Sequence, residues 1–232
     1  MYSKFFKRLF DILLSLCALC ALSPILVLLT VVGFFVMRGN PFFCQFRPGK
    51  IDNKIGCERI FKLIKFRTMT NAKDQEGNLL PDEKRLIKYG KILRSTSLDE
   101  LPELLNILKG DMSIVGPRPQ LVRDMVFMTD EQRRRHTVRP GLTGLAQVSG
   151  RNNITWEQKF AYDLEYIDNG ITFFKDIKLI LMTALKVLSR SDTVREGTVS
   201  DMDFGDWLIA QGKIEQSDYN KKQEEAKELL NV

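Results

Sequence analysis

Histidine is almost missing from this chain. His136 stands alone among 232 residues, and only four cysteines accompany it. Cys17 and Cys20 fall in an apolar run, while Cys44 and Cys57 lack any paired CxxC spacing. A zinc site is therefore not expected, nor is a disulfide framework. Such cysteine usage suits a chain facing a reducing cytoplasm. An acidic excess is missing too: 35 Lys and Arg stand against 29 Asp and Glu, a net charge of +6. That balance implies anionic partners, and leaves nucleic acid, lipid headgroups and phosphorylated small molecules all open. With 44% hydrophobic and 28% charged residues, a disordered chain is excluded. No internal repeat is visible. The length fits one globular domain with appendages.

Charge is also missing from Ile12 to Met37. A spanning helix needs about 20 apolar residues, so this run is long enough. It is too long for the apolar region of a signal peptide and has no A-x-A-like cleavage site. Ser23-Pro24 lies in its middle, and proline kinks or breaks a helix. Each half is then about 12 residues, or roughly 18 Å. That is too short to cross an apolar layer of about 30 Å. Both flanks are basic: Lys4, Lys7 and Arg8 before it, Arg38, Arg47 and Lys50 after it. Basic flanks stay on the cytoplasmic side. A broken helix that enters and leaves on one face satisfies both features. A kinked ordinary span, which such helices tolerate, stays open as the alternative at this point.

Phe42 to Arg47 and Ile60 to Thr68 read as strands, with turn signals at Pro48-Gly49 and Asp52-Asn53. Asn71 to Pro81 reads as a loop, and Asp82 to Leu93 as a helix. A second helix is expected over Leu98 to Lys109, stopped by Gly110. Its start carries two signals: an S-x-x-E capping box at Ser97 and Glu100, and Pro102, which favours a first helical position. Residues 111–120 and 137–151, rich in Gly and Pro, are expected as loops. Trp156 to Asp168 and Ile171 to Arg190 read as helices. The latter suits either a membrane interface or an ordinary packed amphipathic face.

Asp99-Glu100 is the pair that could carry chemistry. Carboxylates at a helix N-terminus are favoured in ionised form. Ionised, they can act as nucleophile or hold Mg²⁺, although first-turn acids are also ordinary caps. Basic residues recur beside Gly and Pro: Lys65, Arg67, Arg94, Arg118, Arg139 and Arg151. Arginine in rigid loops suits bidentate phosphate binding. Carboxylates among arginines fit Mg²⁺-assisted phosphoryl transfer. His136, following Arg133-Arg134-Arg135, is expected in a solvated or headgroup-facing basic patch, with no role.

Six segments appear in order: K-R-L-F-D near the N-terminus, Q-F-R-P-G (45–49), K-F-R-T-M (65–69), L-R-S-T-S-L-D-E-L-P-E (93–103), L-K-G-D-M-S-I-V-G-P-R-P (108–119) and V-R-P-G-L-T-G-L-A-Q-V-S-G-R (138–151). Together they resemble the bacterial sugar transferase family, the monotopic phosphoglycosyl transferases that start glycoconjugate assembly. The likeness runs from about Tyr2 to Gly197. It implies an α+β, mainly helical fold: a re-entrant membrane helix broken at Ser23-Pro24 (residues 1–40), then a small cytoplasmic catalytic domain with short strands (41–197). It also implies a location at the bacterial inner membrane, with the catalytic domain on the cytoplasmic face.

By the same resemblance, Asp99 and Glu100 form the catalytic dyad. Asp99 attacks the sugar-bearing phosphorus of a UDP-sugar and expels UMP. Glu100, with Asp99, holds Mg²⁺. The aspartyl-phosphosugar then passes its phosphosugar to polyprenyl phosphate. Arg118, within Pro117-Arg118-Pro119, and by position Arg94 and Arg151, become phosphate ligands, with Lys65, Arg67 and Arg139 carried over beside them. Nucleic acid is then not an expected partner. Galactose, N-acetylated and diamino-sugar donors all stay open. The stretch 198–232 departs from the minimal pattern and reads as a helical extension, a candidate for partner docking or for contacts in a homo-oligomer. Two other classes compete: a membrane-tethered basic adaptor, indifferent to Asp99→Asn, and a Mg²⁺-dependent phosphohydrolase with water as acceptor.

Overall fold

The computed structural model describes residues 2–150, 154–189 and 202–230. After a 3-10 turn at Tyr2–Lys4 comes one long helix, α1 (Phe6–Val36). It is long and apolar enough to cross a membrane, yet only 6% of its most apolar window is buried. The helix does not break at Ser23-Pro24, as had been expected; Pro24 sits inside it. Proline cannot supply an amide to the Cys20 carbonyl, and Ser23 Oγ donates to that carbonyl at 2.8 Å instead.

Both halves of α1 are held by the same folded body. Arg8 donates to the carbonyls of Ile107 (2.6 Å) and Leu108 (2.9 Å). Buried Asp11 accepts from Ser113 Oγ at 2.8 Å and Ile114 N at 3.0 Å. Farther along, Tyr89 Oη donates to the Leu29 carbonyl at 3.1 Å.

β1 (Phe42–Asp52) and β2 (Cys57–Phe66) form an antiparallel hairpin. Pro48-Gly49 is not its turn: the pair lies inside β1, where the register shifts between Pro48 and Ile51. A bulge tolerates proline because one residue there is left unpaired. The chain turns instead at Asp52, whose carbonyl accepts from Gly56 N at 2.8 Å.

The expected helix over Asp82–Leu93 is two, α2 (Asp82–Arg85) and α3 (Lys88–Ser95). Between them Leu86 turns extended and bridges Met69. The helix expected over Leu98–Lys109 is a 3-10 turn, Leu98–Glu100, followed by α4 (Glu103–Lys109). No capping box forms: Ser97 is left-handed, with φ 55°, and its side chain caps nothing. Gly110 ends α4 at φ 98°, as expected.

The two segments expected as loops hold β3 (Ser113–Val115) and β4 (Gly141–Thr143), paired in parallel. Between them lie α5 (Val122–Met125) and α6 (Asp130–Arg133), and after them α7 (Leu145–Ser149). A Cβ on Gly141 would sit 2.1 Å from Gly116 N, so only glycine permits this approach.

α8 (Trp156–Asp168) keeps its expected bounds, capped by Thr155 Oγ1. α9 (Phe173–Ser189) leaves Phe174, Leu181 and Leu185 exposed while burying Leu179. The tail is helical, as expected: α10 (Phe204–Ala210) and α11 (Gln216–Leu230). It is also part of the core. Phe204 and Ala226 are buried with Val126, Phe127, Met128, Trp156 and Phe160.

The basic patch expected at Arg133–His136 is solvated only in part, at Arg133 and Arg134. Arg135 and His136 are buried because acids distant in sequence reach them. Asp163 accepts from Arg135 Nη2 at 2.6 Å, and Glu58 pairs with His136 Nδ1 at 2.9 Å.

Candidate active site

Asp99 and Glu100 reach their place through two local features. α3 lies against the end of β2 so closely that a Cβ on Gly90 would sit 1.9 Å from the Thr68 carbonyl. Arg94, at the end of α3, donates to Thr68 Oγ1 at 3.1 Å. The chain then bends at Ser97, a conformation that serine adopts at a cost. The single 3-10 turn after it presents the two carboxylates side by side, half-buried.

Their environments differ. Glu100 Oε1 accepts from Arg118 Nη2 at 2.5 Å and from Lys65 Nζ at 2.9 Å. Against the cost of burial, those two cations hold Glu100 well below the usual carboxylate range. Lys65 also pairs with buried Glu103 at 3.0 Å. Asp99 has no hydrogen-bond or ion-pair partner among the described residues. Burial and the charge of Glu100 push its carboxyl up, while Lys65, Arg94 and Arg118 pull it back. Adjacent acids pushed apart in this way are a common mark of reacting sites.

The pair opens onto a cleft of about 800 Å³. Lys65, Arg67, Arg94 and Arg118 line it together with Asp99 and Glu100. Arg47 lines it as well, reaching the Pro119 carbonyl at 3.2 Å and Gln45 Oε1 at 2.6 Å. Burial and the neighbouring Arg118 bring its guanidinium down to about 10. Cations crowded at that cost favour an anionic ligand, which relieves their repulsion.

Residues 2–190 match the profile of the bacterial sugar transferase family. The chain belongs to that family. It is 49% identical over 183 residues to an uncharacterized sugar transferase, EpsL, of Bacillus subtilis, covering 78% of this chain and 87% of that one. It is 39% identical over 196 residues to a UDP-glucose:undecaprenyl-phosphate glucose-1-phosphate transferase of Klebsiella pneumoniae. That match covers 78% of this chain and 40% of the relative. An undecaprenyl-phosphate galactose phosphotransferase of Salmonella typhimurium is 34% identical over 201 residues, which is 81% of this chain and 41% of the relative.

Not every expected site residue of this transferase meets in the cleft. Arg139 turns away: its Nε donates to the Gly110 carbonyl at 2.9 Å. Arg8 already holds the last carbonyls of α4, so the two guanidiniums together finish that helix. Arg151 lies outside the described residues. Ser23 and Pro24 belong to α1. Conversely, Arg47, Gln147, Met202 and Asp203 line the cleft without having been singled out. The Q-F-R-P-G segment contained the signal for Arg47; nothing local marked the other three.

Among the described residues, no group of three or more His, Cys, Asp or Glu could hold a metal by itself. Mg²⁺ needs no such cage: it takes one or two carboxylates and completes its shell with water and substrate phosphate. Asp99, bare beside Glu100, fits that donor set.

Proposed function

We propose that this transferase moves a sugar 1-phosphate from a UDP-sugar to polyprenyl phosphate, releasing UMP, as an initiating membrane step of glycan assembly. The unpartnered Asp99 beside a pinned Glu100 in an arginine-lined cleft carries this reading. The names of the Klebsiella and Salmonella relatives supply the substrate class.

A carboxylate oxygen of Asp99 attacks the phosphorus that bears the sugar. The bond from that phosphorus to the bridging oxygen breaks, and UMP leaves with the electron pair. A phosphate oxygen of the polyprenyl acceptor then attacks the same phosphorus. The bond to Asp99 breaks, which restores the carboxylate and yields polyprenyl-diphosphate-sugar. A poorly solvated, more basic carboxylate is the better nucleophile, and burial gives Asp99 that character. Arg118 and Lys65 keep Glu100 ionised, while Arg94 and Arg47 stand where a diphosphate's charge can be met. Mg²⁺, held by Glu100 with Asp99 beside it, would neutralise the diphosphate and ease departure of UMP.

α1 would enter and leave the membrane on one face, the cytoplasmic one. Its contacts support this: Asp11 and Leu29 are 18 residues apart, about 27 Å along a straight helix, and the same body binds both. A helix crossing the bilayer would place them on opposite sides. The exposed Phe174, Leu181 and Leu185 of α9 suit the same surface.

The deciding assay combines purified protein, Mg²⁺, polyprenyl phosphate and a panel of UDP-sugars, with UMP and lipid product as readouts and EDTA as control. UMP release that needs Mg²⁺ and one sugar, with matching lipid product, is expected. UMP without lipid product would mean that water is the acceptor. Accessibility labelling that finds the N-terminus outside would remove the re-entrant arrangement.

A further inference from the structure

The family match ends at residue 190, yet residues beyond it build part of the cleft. Met202 and Asp203 line the same cavity as Asp99 and Glu100. They are fixed there from several sides. Trp156 Nε1 donates to the Met202 carbonyl at 3.2 Å. Phe204 N donates to Asp124 Oδ1 at 2.8 Å. The Phe204 ring lies 5.1 Å from both Trp156 and Phe160. A Cβ on Gly205 would sit 2.6 Å from the Phe127 ring, so α10 is packed without slack.

Arg123 Nη2 holds Asp203 Oδ2 at 2.5 Å. The other oxygen, Oδ1, makes no hydrogen bond among the described residues. A carboxylate repels a diphosphate, and it accepts readily from O–H and N–H groups. Asp203 is therefore suited to the part of the donor that carries no negative charge.

A second, independent observation points the same way. Gln147 also lines the cleft, is only 8% exposed, and neither its Oε1 nor its Nε2 has a hydrogen-bond partner among the described residues. A buried primary amide left wholly unsatisfied is costly, and a ligand with both donors and acceptors relieves it. A ring bearing hydroxyl or amide groups offers both.

We propose that Asp203 of the C-terminal tail, together with Gln147, forms the sugar-selecting wall of the cleft. Asp203 accepts hydrogen bonds from hydroxyl or amide N–H groups of the donor's sugar. The tail thus determines specificity. This rests on the transferase reading given above.

The test assays full-length wild type, Asp203→Ala and Asp203→Asn for UMP release across a panel of UDP-sugars. Binding of UMP, which lacks the sugar, is measured by calorimetry on the same preparations. Wild type inactive with every donor defeats the transferase reading itself, before any variant is compared. With active wild type, Asp203→Ala is expected to lose about 10- to 100-fold in kcat/KM for the preferred sugar and to change the ranking of sugars. UMP affinity is expected to stay within about twofold. An unchanged ranking overturns the proposal. So does an equal loss in UMP affinity, because Asp203 would then merely hold Arg123 in place. Should the alanine variant melt before assay, the isosteric asparagine variant decides by the same criteria.

Discussion

Glu58 and Glu100 are each gripped by two basic side chains. Glu58 takes Arg133 Nε at 2.9 Å, Arg133 Nη2 at 2.5 Å and His136 at 2.9 Å. Glu100 takes Arg118 at 2.5 Å and Lys65 at 2.9 Å. Both carboxyls end below their ordinary range, Glu58 at about 2. The company differs. Glu58 does not line the cleft. Glu100 lines it, and its charge helps push up Asp99 and Glu103 beside it. A matched cluster closes on itself and ties elements together. A cluster with surplus acid beside crowded cations is unfinished without a ligand, and a reaction can use it.

The sharpest way to break that contrast is Asp99→Asn. An amide cannot form the acyl phosphate, so lipid-linked product should fall by at least about 10³-fold. The melting temperature should hold or rise, because a buried acid that resists ionisation costs stability. Substantial product from the purified variant would remove Asp99 as nucleophile. Glu58→Gln should do the reverse. It removes the charge that Arg133 pairs with but keeps an acceptor oxygen, and should cost about 1–2 kcal/mol, since the Arg133 side chain is 37% exposed and water can solvate it. Turnover per folded molecule should remain. A chemical-denaturation series paired with the UMP assay checks both halves.

Acid should strike the closed cluster in two stages. Burial pushes His136 below its ordinary 6.5. The unfolded chain therefore takes up that proton first, and stability starts to fall as pH drops below about 6.5. Glu58 is lowered from 4.5 to about 2. Its contribution is complete above 4.5 and is lost as pH falls through its folded value. The buried acids that are pushed up, Asp124 to about 6 among them, act in the opposite sense. The readout is therefore the stability difference between wild type and Glu58→Gln, which should hold above pH 4.5 and shrink as pH falls from 4.5 toward about 3.

What the sequence disclosed follows the range of the interactions. α8 was legible to the residue because its Thr155 cap and its apolar spacing are local. The Asp99-Glu100 pair was legible because its neighbours in the chain are distinctive. The helix breaks at Leu86 and Ser97 were not, since a bridge to Met69 and a left-handed serine leave no periodic trace. The burial of Arg135 and His136 was hidden as well, because Asp163 and Glu58 lie 28 and 78 residues away. The tail's place in the cleft was hidden for the same reason: Asp203 meets Arg123 only in the folded chain.

Arg139 gives the smallest and most discriminating effect. Its setting in R-P-G matched the arginines that do reach the cleft, so sequence alone grouped it with Arg94 and Arg118. In the fold its Nε finishes α4 at Gly110, beside Arg8, which takes Ile107 and Leu108. α4 starts three residues after Glu100, so a loosened C-terminus should fray away from the dyad, not toward it. Arg139→Ala should therefore cost about 1 kcal/mol of stability, as for a lost hydrogen bond from a charged donor. KM for the UDP-sugar should stay within about twofold, whereas Arg118→Ala should raise KM and lower kcat together. The two variants compared side by side, by melting and by steady-state kinetics, separate an arginine that ends a helix from one that holds the reacting pair. A large rise in KM for Arg139→Ala would move that guanidinium into the cleft and extend the unfinished cluster to α4's far end.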